Sequence, residues 1–192
     1  MSYQLQFGFI LVRKMKISEI KYYLENKTKK ELIALVVKLY RLNKHNQELL
    51  HVEINPENED IAKERYKKII KDEFFPERGD PKLRYSIIRK AITDFRKICR
   101  KPENLVDVML CYVEYGVDFT NVYGGIDEDF YIRIENVFAD TLEYIFNNKK
   151  EEIFKERCLE LKLGIGDIGF GFGHNMDDLY YAYYNIDDED DL

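Results

Sequence analysis

Apolar residues recur at intervals of three and four along most of the chain, a spacing that predicts successive amphipathic helices. Ile17, Ile20, Tyr23 and Leu24 mark a short first helix from about Ser18. A second starts at Thr28, which with Glu31 forms a capping box satisfying orphan amides of the first turn. Leu32, Leu35, Val36, Leu39 and Tyr40 carry its stripe towards Leu49. Asn55-Pro56-Glu57 restarts the pattern, because Asn caps, Pro suits the first helical position and Glu complements the helix dipole. Ile61, Tyr66, Ile69 and Ile70 follow, up to Phe74-Phe75-Pro76 and a turn-rich stretch ending at Pro81. A fourth helix is expected over 82–100. Pro102 ends it and opens a fifth, with Leu105, Val106, Met109, Leu110 and Val113 apolar, until Gly116 and then Gly124-Gly125 break the pattern. A sixth runs from about Asp127, with Phe130, Ile134, Val137, Phe138, Leu142 and Ile145 as its stripe. A seventh follows from about Lys149 and stops at Gly164, read as a left-handed cap. A glycine-aromatic loop over 164–173 leads to a last short helix at 176–184, which Asn175 would cap with Asp177 and Asp178 at its positive end.

Strand signals are almost absent, with no βαβ alternation and no Asn-Gly hairpin. The fold class is therefore all-α: seven or eight helices, as an irregular bundle or a short HEAT/armadillo-like helical-repeat stack. Pro-Glu-Asn occurs at 56–58 and again at 102–104, and this offset of 46 residues lies within the ~40–47 of such two-helix repeats. Residues 15–185 are expected to form a single helical domain, with 1–14 as an N-terminal extension and 186–192 as an acidic tail.

Composition adds limits. The 192 residues are 45% hydrophobic and 14% aromatic, enough for a packed core. No apolar run approaches the ~18 residues of a spanning helix. The run Phe7-Gly8-Phe9-Ile10-Leu11-Val12 has its basic pair, Arg13-Lys14, behind it rather than in front, unlike a secretory signal. Three cysteines without a Cys-x-x-Cys pair exclude a disulfide scaffold and a four-cysteine zinc site, and favour a reducing cytoplasm.

Several motifs resemble those of an uncharacterised bacterial family of small all-helical proteins, classed only as a domain of unknown function. They are Met15-Lys16-Ile17-Ser18-Glu19-Ile20, Glu73-Phe74-Phe75-Pro76, Gly79-Asp80-Pro81-Lys82-Leu83, Arg89-Lys90-Ala91-Ile92 with Asp94-Phe95, and the glycine loop. The resemblance spans roughly residues 15–185. It implies that 1–14 lie outside the family's domain, and it brings no activity, cofactor or catalytic residue with it.

The net charge of −6 conceals a strong polarity. Residues 82–101 hold eight cations and one carboxylate, whereas 102–147 hold ten carboxylates and one cation. Five further carboxylates fill 187–191. On a helix, Lys82, Arg89, Lys90, Arg96, Lys97, Arg100 and Lys101 would share an arc of about 140°. They form a candidate surface for an anionic partner. The alternatives are a solvated face, or one neutralised by the acidic 102–147 segment beside it. Tyr180, Tyr181, Tyr183 and Tyr184 form a second candidate cluster, for partner contact or for packing the last helix onto the body.

Catalytic patterns do not emerge. Gly164-Ile165-Gly166-Asp167-Ile168-Gly169 matches G-x-G-x-x-G, but a charged helix precedes it where a dinucleotide site needs a strand. Ile168, Phe170 and Phe172 are expected to plug the core there. His45 and His51 stand about 240° apart on a helix and cannot share a metal. His174 with Asp177 and Asp178 is a sparse metal set. Cys99, Cys111 and Cys158 lie among apolar residues and read as small hydrophobes. No catalytic residue, cofactor or metal ligand is therefore assigned. The expected function is a non-enzymatic protein–protein interaction or adaptor module, binding a protein partner or another copy of itself. The alternative is a nucleic-acid-associated factor using the basic helix.

Overall fold

The computed structural model describes residues 15–166 and 168–184, and these contain helices and no strands. The chain divides into two compact units, 1–47 and 48–192. The apolar run at 7–12, Asp167 and the acidic stretch at 187–191 fall outside the described residues.

The first unit holds α1 (Ile17–Glu25) and α2 (Lys29–Leu42). The capping box is present: Thr28 Oγ1 accepts from the Glu31 amide at 3.3 Å, and the Glu31 carboxylate accepts from the Thr28 amide at 2.9 Å. The Thr28 amide and the Thr28 hydroxyl, both donating to that carboxylate, hold it down at about 2 with the nearby Lys27 ammonium. Neither helix contains a buried residue. The second predicted helix does not reach Leu49. Asn43 is extended (φ −161°, ψ 162°), and its side-chain oxygen accepts from the Asn46 amide at 2.9 Å. Asn43 thus ends one helix and caps the next, α3 (Lys44–Ile54). That break makes nine described helices where seven or eight were expected.

The second unit comprises most of α3, then α4 (Asn58–Phe74), α5 (Tyr85–Ile98), α6 (Pro102–Tyr123), α7 (Glu128–Asn147), α8 (Glu151–Leu163) and α9 (Phe172–Tyr183). Its axis is α6, which packs against α4, α5 and α7, while α9 packs on α7 and α8. Leu105, Val106, Val108, Met109, Leu110 and Val113 on α6 are all buried, so apolar neighbours surround this helix. The two Pro-Glu-Asn tripeptides play different parts. Pro102 is the first residue of α6, but Pro56 lies in a turn before α4. Nothing in the element order establishes a repeat.

Two glycines behave otherwise than expected. Gly116 does not break α6; it is buried in mid-helix, where an added Cβ would meet the Ile134 side chain of α7, with Cγ1 only 2.8 Å away. The missing side chain lets two helices approach. Gly164 ends α8 in right-handed conformation (φ −75°); the left-handed glycine is Gly171 (φ 69°), which caps α9 instead. Helix α9 accordingly begins at Phe172, and Asn175 is no cap: its amide donates to Glu135 at 3.1 Å.

Candidate cationic groove

Helix α5 is held at both ends by α4. Residues Glu59, Ala62, Tyr66, Ile70 and Glu73 recur at helical spacing and are all buried, so a glutamate stands at each end of one buried stripe. Glu59 accepts from the amides of Arg100 (3.1 Å) and Lys101 (3.0 Å) and from the Asn104 side chain (2.9 Å). Those bonds fix the turn from α5 into α6. Glu73 accepts from the Arg84 amide and Nε, each at 3.0 Å, and from Arg84 Nη2 at 2.6 Å. Its main-chain carbonyl also takes the amides of Lys82 and Leu83, which holds Leu83 left-handed (φ 48°). Burial pushes the Glu73 carboxyl upward, but the Arg84 hydrogen bonds and charge outweigh it and keep it below its ordinary value. Neither carboxylate stood out in the sequence. The available signal was that both continue the apolar register of α4.

Suspended in this way, α5 forms one wall of a groove of about 890 Å³, with Met109 and Tyr112 of α6 behind it and α7 opposite. Arg89, Lys90, Arg96 and Lys97 line it, and α7 adds Arg133, Asn136, Val137 and Asp140 at helical spacing. Five cations therefore face two carboxylates, Asp94 and Asp140. Asp94 bonds Lys90 and also Lys97 at 2.9 Å, and these contacts hold its carboxyl below the ordinary value. The Arg133 guanidinium lies 4.6 Å from the Tyr85 ring, and Arg96 lies 5.9 Å from that of Tyr144. Arg89 is exposed and makes no hydrogen bond or ion pair among the described residues.

The helix is shorter than expected, 85–98 rather than 82–100, so three of the seven predicted cations leave its face. Lys82 lies in the preceding loop. Arg100 pairs with Glu53 at 3.5 Å and Lys101 with Asp60 at 3.7 Å, beyond the end of α5. The acidic 102–147 segment does not neutralise the helix. Among the described residues, no ion pair joins a cation of 82–101 to a carboxylate of 102–147. Three of those carboxylates, Glu103, Asp107 and Glu114, meet cations of α4, α8 and the turn before α8 instead. Arg157 bridges Asp107 (2.8 Å) and Glu114 (2.6 Å), Lys63 and Lys67 each reach Asp107 at 3.2 Å, and Glu103 pairs with Lys150.

The tyrosine cluster faces largely inward. Tyr180 and Tyr184 are buried and stack at 4.9 Å, while Tyr183 and Tyr184 both pack on Phe146. Tyr181 is the exposed member and accepts from Lys162 at 2.9 Å. In the glycine loop, Phe172 is fully buried, but Phe170 is 59% exposed, and Asn121 clamps the backbone at Gly164 and Gly166. Lys162 takes Asp177 at 2.6 Å, leaving His174 beside Asp178 at 3.5 Å. No group of three metal-ligating side chains gathers among the described residues. Burial pushes the thiols of Cys99, Cys111 and Cys158 up to about 12, so they stay protonated at neutral pH.

Fold and groove together define an all-helical protein with one concentrated cationic depression and, among the described residues, no helix long and apolar enough to cross a membrane. Over residues 15–165 the chain matches the model of the Family of unknown function (DUF6155), and it belongs to that family. The matched region begins at Met15, as the motif there implied, and ends within the glycine loop rather than at 185. No curated protein and no solved structure matches the chain.

Proposed function

We propose that this is a cytoplasmic, non-enzymatic interaction module whose α5–α7 groove receives an acidic segment of a protein partner. The observation that carries this reading is the excess of five cations over two carboxylates around one depression, with no ion pair among the described residues joining a cation of 82–101 to a carboxylate of 102–147. A protein ligand suits the groove better than a nucleic acid. Ile88, Ile92, Met109 and Val137 provide an apolar floor for side chains. The rings present are not free platforms for bases: Tyr112 is buried, and Tyr85 is half-buried under Arg133. Three free thiols support the cytoplasmic placement.

Fluorescence anisotropy with a labelled peptide alternating Glu and Leu, at graded salt, tests the reading. Binding should weaken with salt, and Arg89→Glu/Arg96→Glu should lower affinity about tenfold or more while the helical circular dichroism is unchanged. Retention of single-stranded DNA or RNA, with a steep salt slope and no peptide binding, would replace the protein partner with a nucleic acid.

A further inference from the structure

We infer that the acidic stretch 187–191 of this same chain docks into the cationic groove and competes with the partner for it. The inference rests on the groove being an acceptor of acidic segments. Charge supplies the first argument: Asp187, Asp188, Glu189, Asp190 and Asp191 are five consecutive carboxylates, and the groove has too few of its own. Reach supplies the second. The described chain leaves α9 at Tyr184, whose ring lies 5.0 Å from that of Phe146 near the end of α7. Two residues before Phe146 is Tyr144, and against its ring sits Arg96, a lining residue of the groove. A helix with its side chains is about 10–12 Å across. The seven residues from 185 to 191 span up to roughly 23–25 Å when extended. That reach is about twice the width of a helix. Other cations on the way are isolated. Lys149 sits alone on the α7–α8 turn, and Lys150 and Lys162 are paired with Glu103 and Asp177. The stretch lies beyond the residues matched by the family.

A tethered segment works at an effective concentration near the millimolar range, so even a weak contact competes measurably. In a variant with Asp187, Asp188, Asp190 and Asp191 changed to Asn and Glu189 to Gln, the Glu/Leu peptide should bind about fivefold more tightly at low salt. The gain should vanish at high salt, and Lys149→Ala should leave it intact. Equal, measurable affinity of wild type and variant would overturn the docking and leave the groove reading standing. Absence of peptide binding by both would overturn the groove reading and this inference with it. Zero-length carbodiimide cross-linking supplies an independent readout. Monomeric protein should yield links from Lys90 or Lys97 to carboxylates of 187–191. Links confined to a dimeric band would assign the groove to a second copy and overturn docking within one chain, as would a complete lack of links.

Discussion

Gly116 shows how much a single residue decides. In a helix interior alanine gains about 1 kcal/mol over glycine. Here the new methyl would press on Ile134, which is fully buried, with Cγ1 at 2.8 Å. Overpacking of this kind costs typically about 1–3 kcal/mol, so the packing penalty wins. Gly116→Ala should destabilise the protein by about 1 kcal/mol, and Gly116→Val by more, in urea unfolding. Shortening the opposing side chain with Ile134→Val should reduce the cost of Gly116→Ala, because the two sites share one contact. An alanine variant at least as stable as wild type would show that α6 and α7 separate freely. The sequence did not reveal this role. A glycine in a helical pattern reads equally as a stop or as a point of close approach, and only the partner helix decides.

At the scale of elements, α5 owes its position to two buried carboxylates rather than to its own apolar face alone. Removing Glu59 would leave the amides of Arg100 and Lys101 without their acceptor and the Asn104 side chain with Asp60 alone. Stranded buried donors cost about 1–3 kcal/mol each, so Glu59→Ala should destabilise by about 3 kcal/mol in chemical denaturation. Glu73 adds a pH dependence. Its folded carboxyl titrates below the unfolded one, so its contribution is complete above about pH 4.5 and is lost as pH falls through the folded value. Glu73→Gln should therefore flatten part of the acid limb of a stability–pH curve and leave its shape above pH 6 unchanged. An unaltered acid limb would refute the assignment. The cationic stripe of α5 was legible because helical periodicity is local. Its ends were not, since Pro81 and Pro102 bracket the helix loosely while Glu73 and Glu59 fix its limits from another helix. Arg133 and Asn136, the opposite wall, stand some 40 residues away in sequence, and no local pattern pairs them with α5.

For the whole molecule, burial is as uneven as charge. Every buried residue among those described lies at Val52 or later, and the core cluster starts at Ala62. Residues 15–42 bring ten exposed large hydrophobics, among them Ile17, Tyr22, Ile33 and Leu42, and no buried one. Short helices without a buried face are marginal in water, so α1 and α2 should add little to global stability. A fragment starting at Asn43 keeps the side chain that caps α3 and removes no described residue of the core. The denaturant slope scales with the surface exposed on unfolding. Urea unfolding of residues 43–192 should consequently show one transition, with a slope nearly that of the full chain and a stability within about 1 kcal/mol of it. The groove should keep its affinity for the Glu/Leu peptide, since every residue lining it lies between Tyr85 and Asp140. A markedly smaller slope, or loss of cooperative unfolding, would mean that the first 42 residues bury surface in the native protein. Their exposed apolar side chains would then belong to its core.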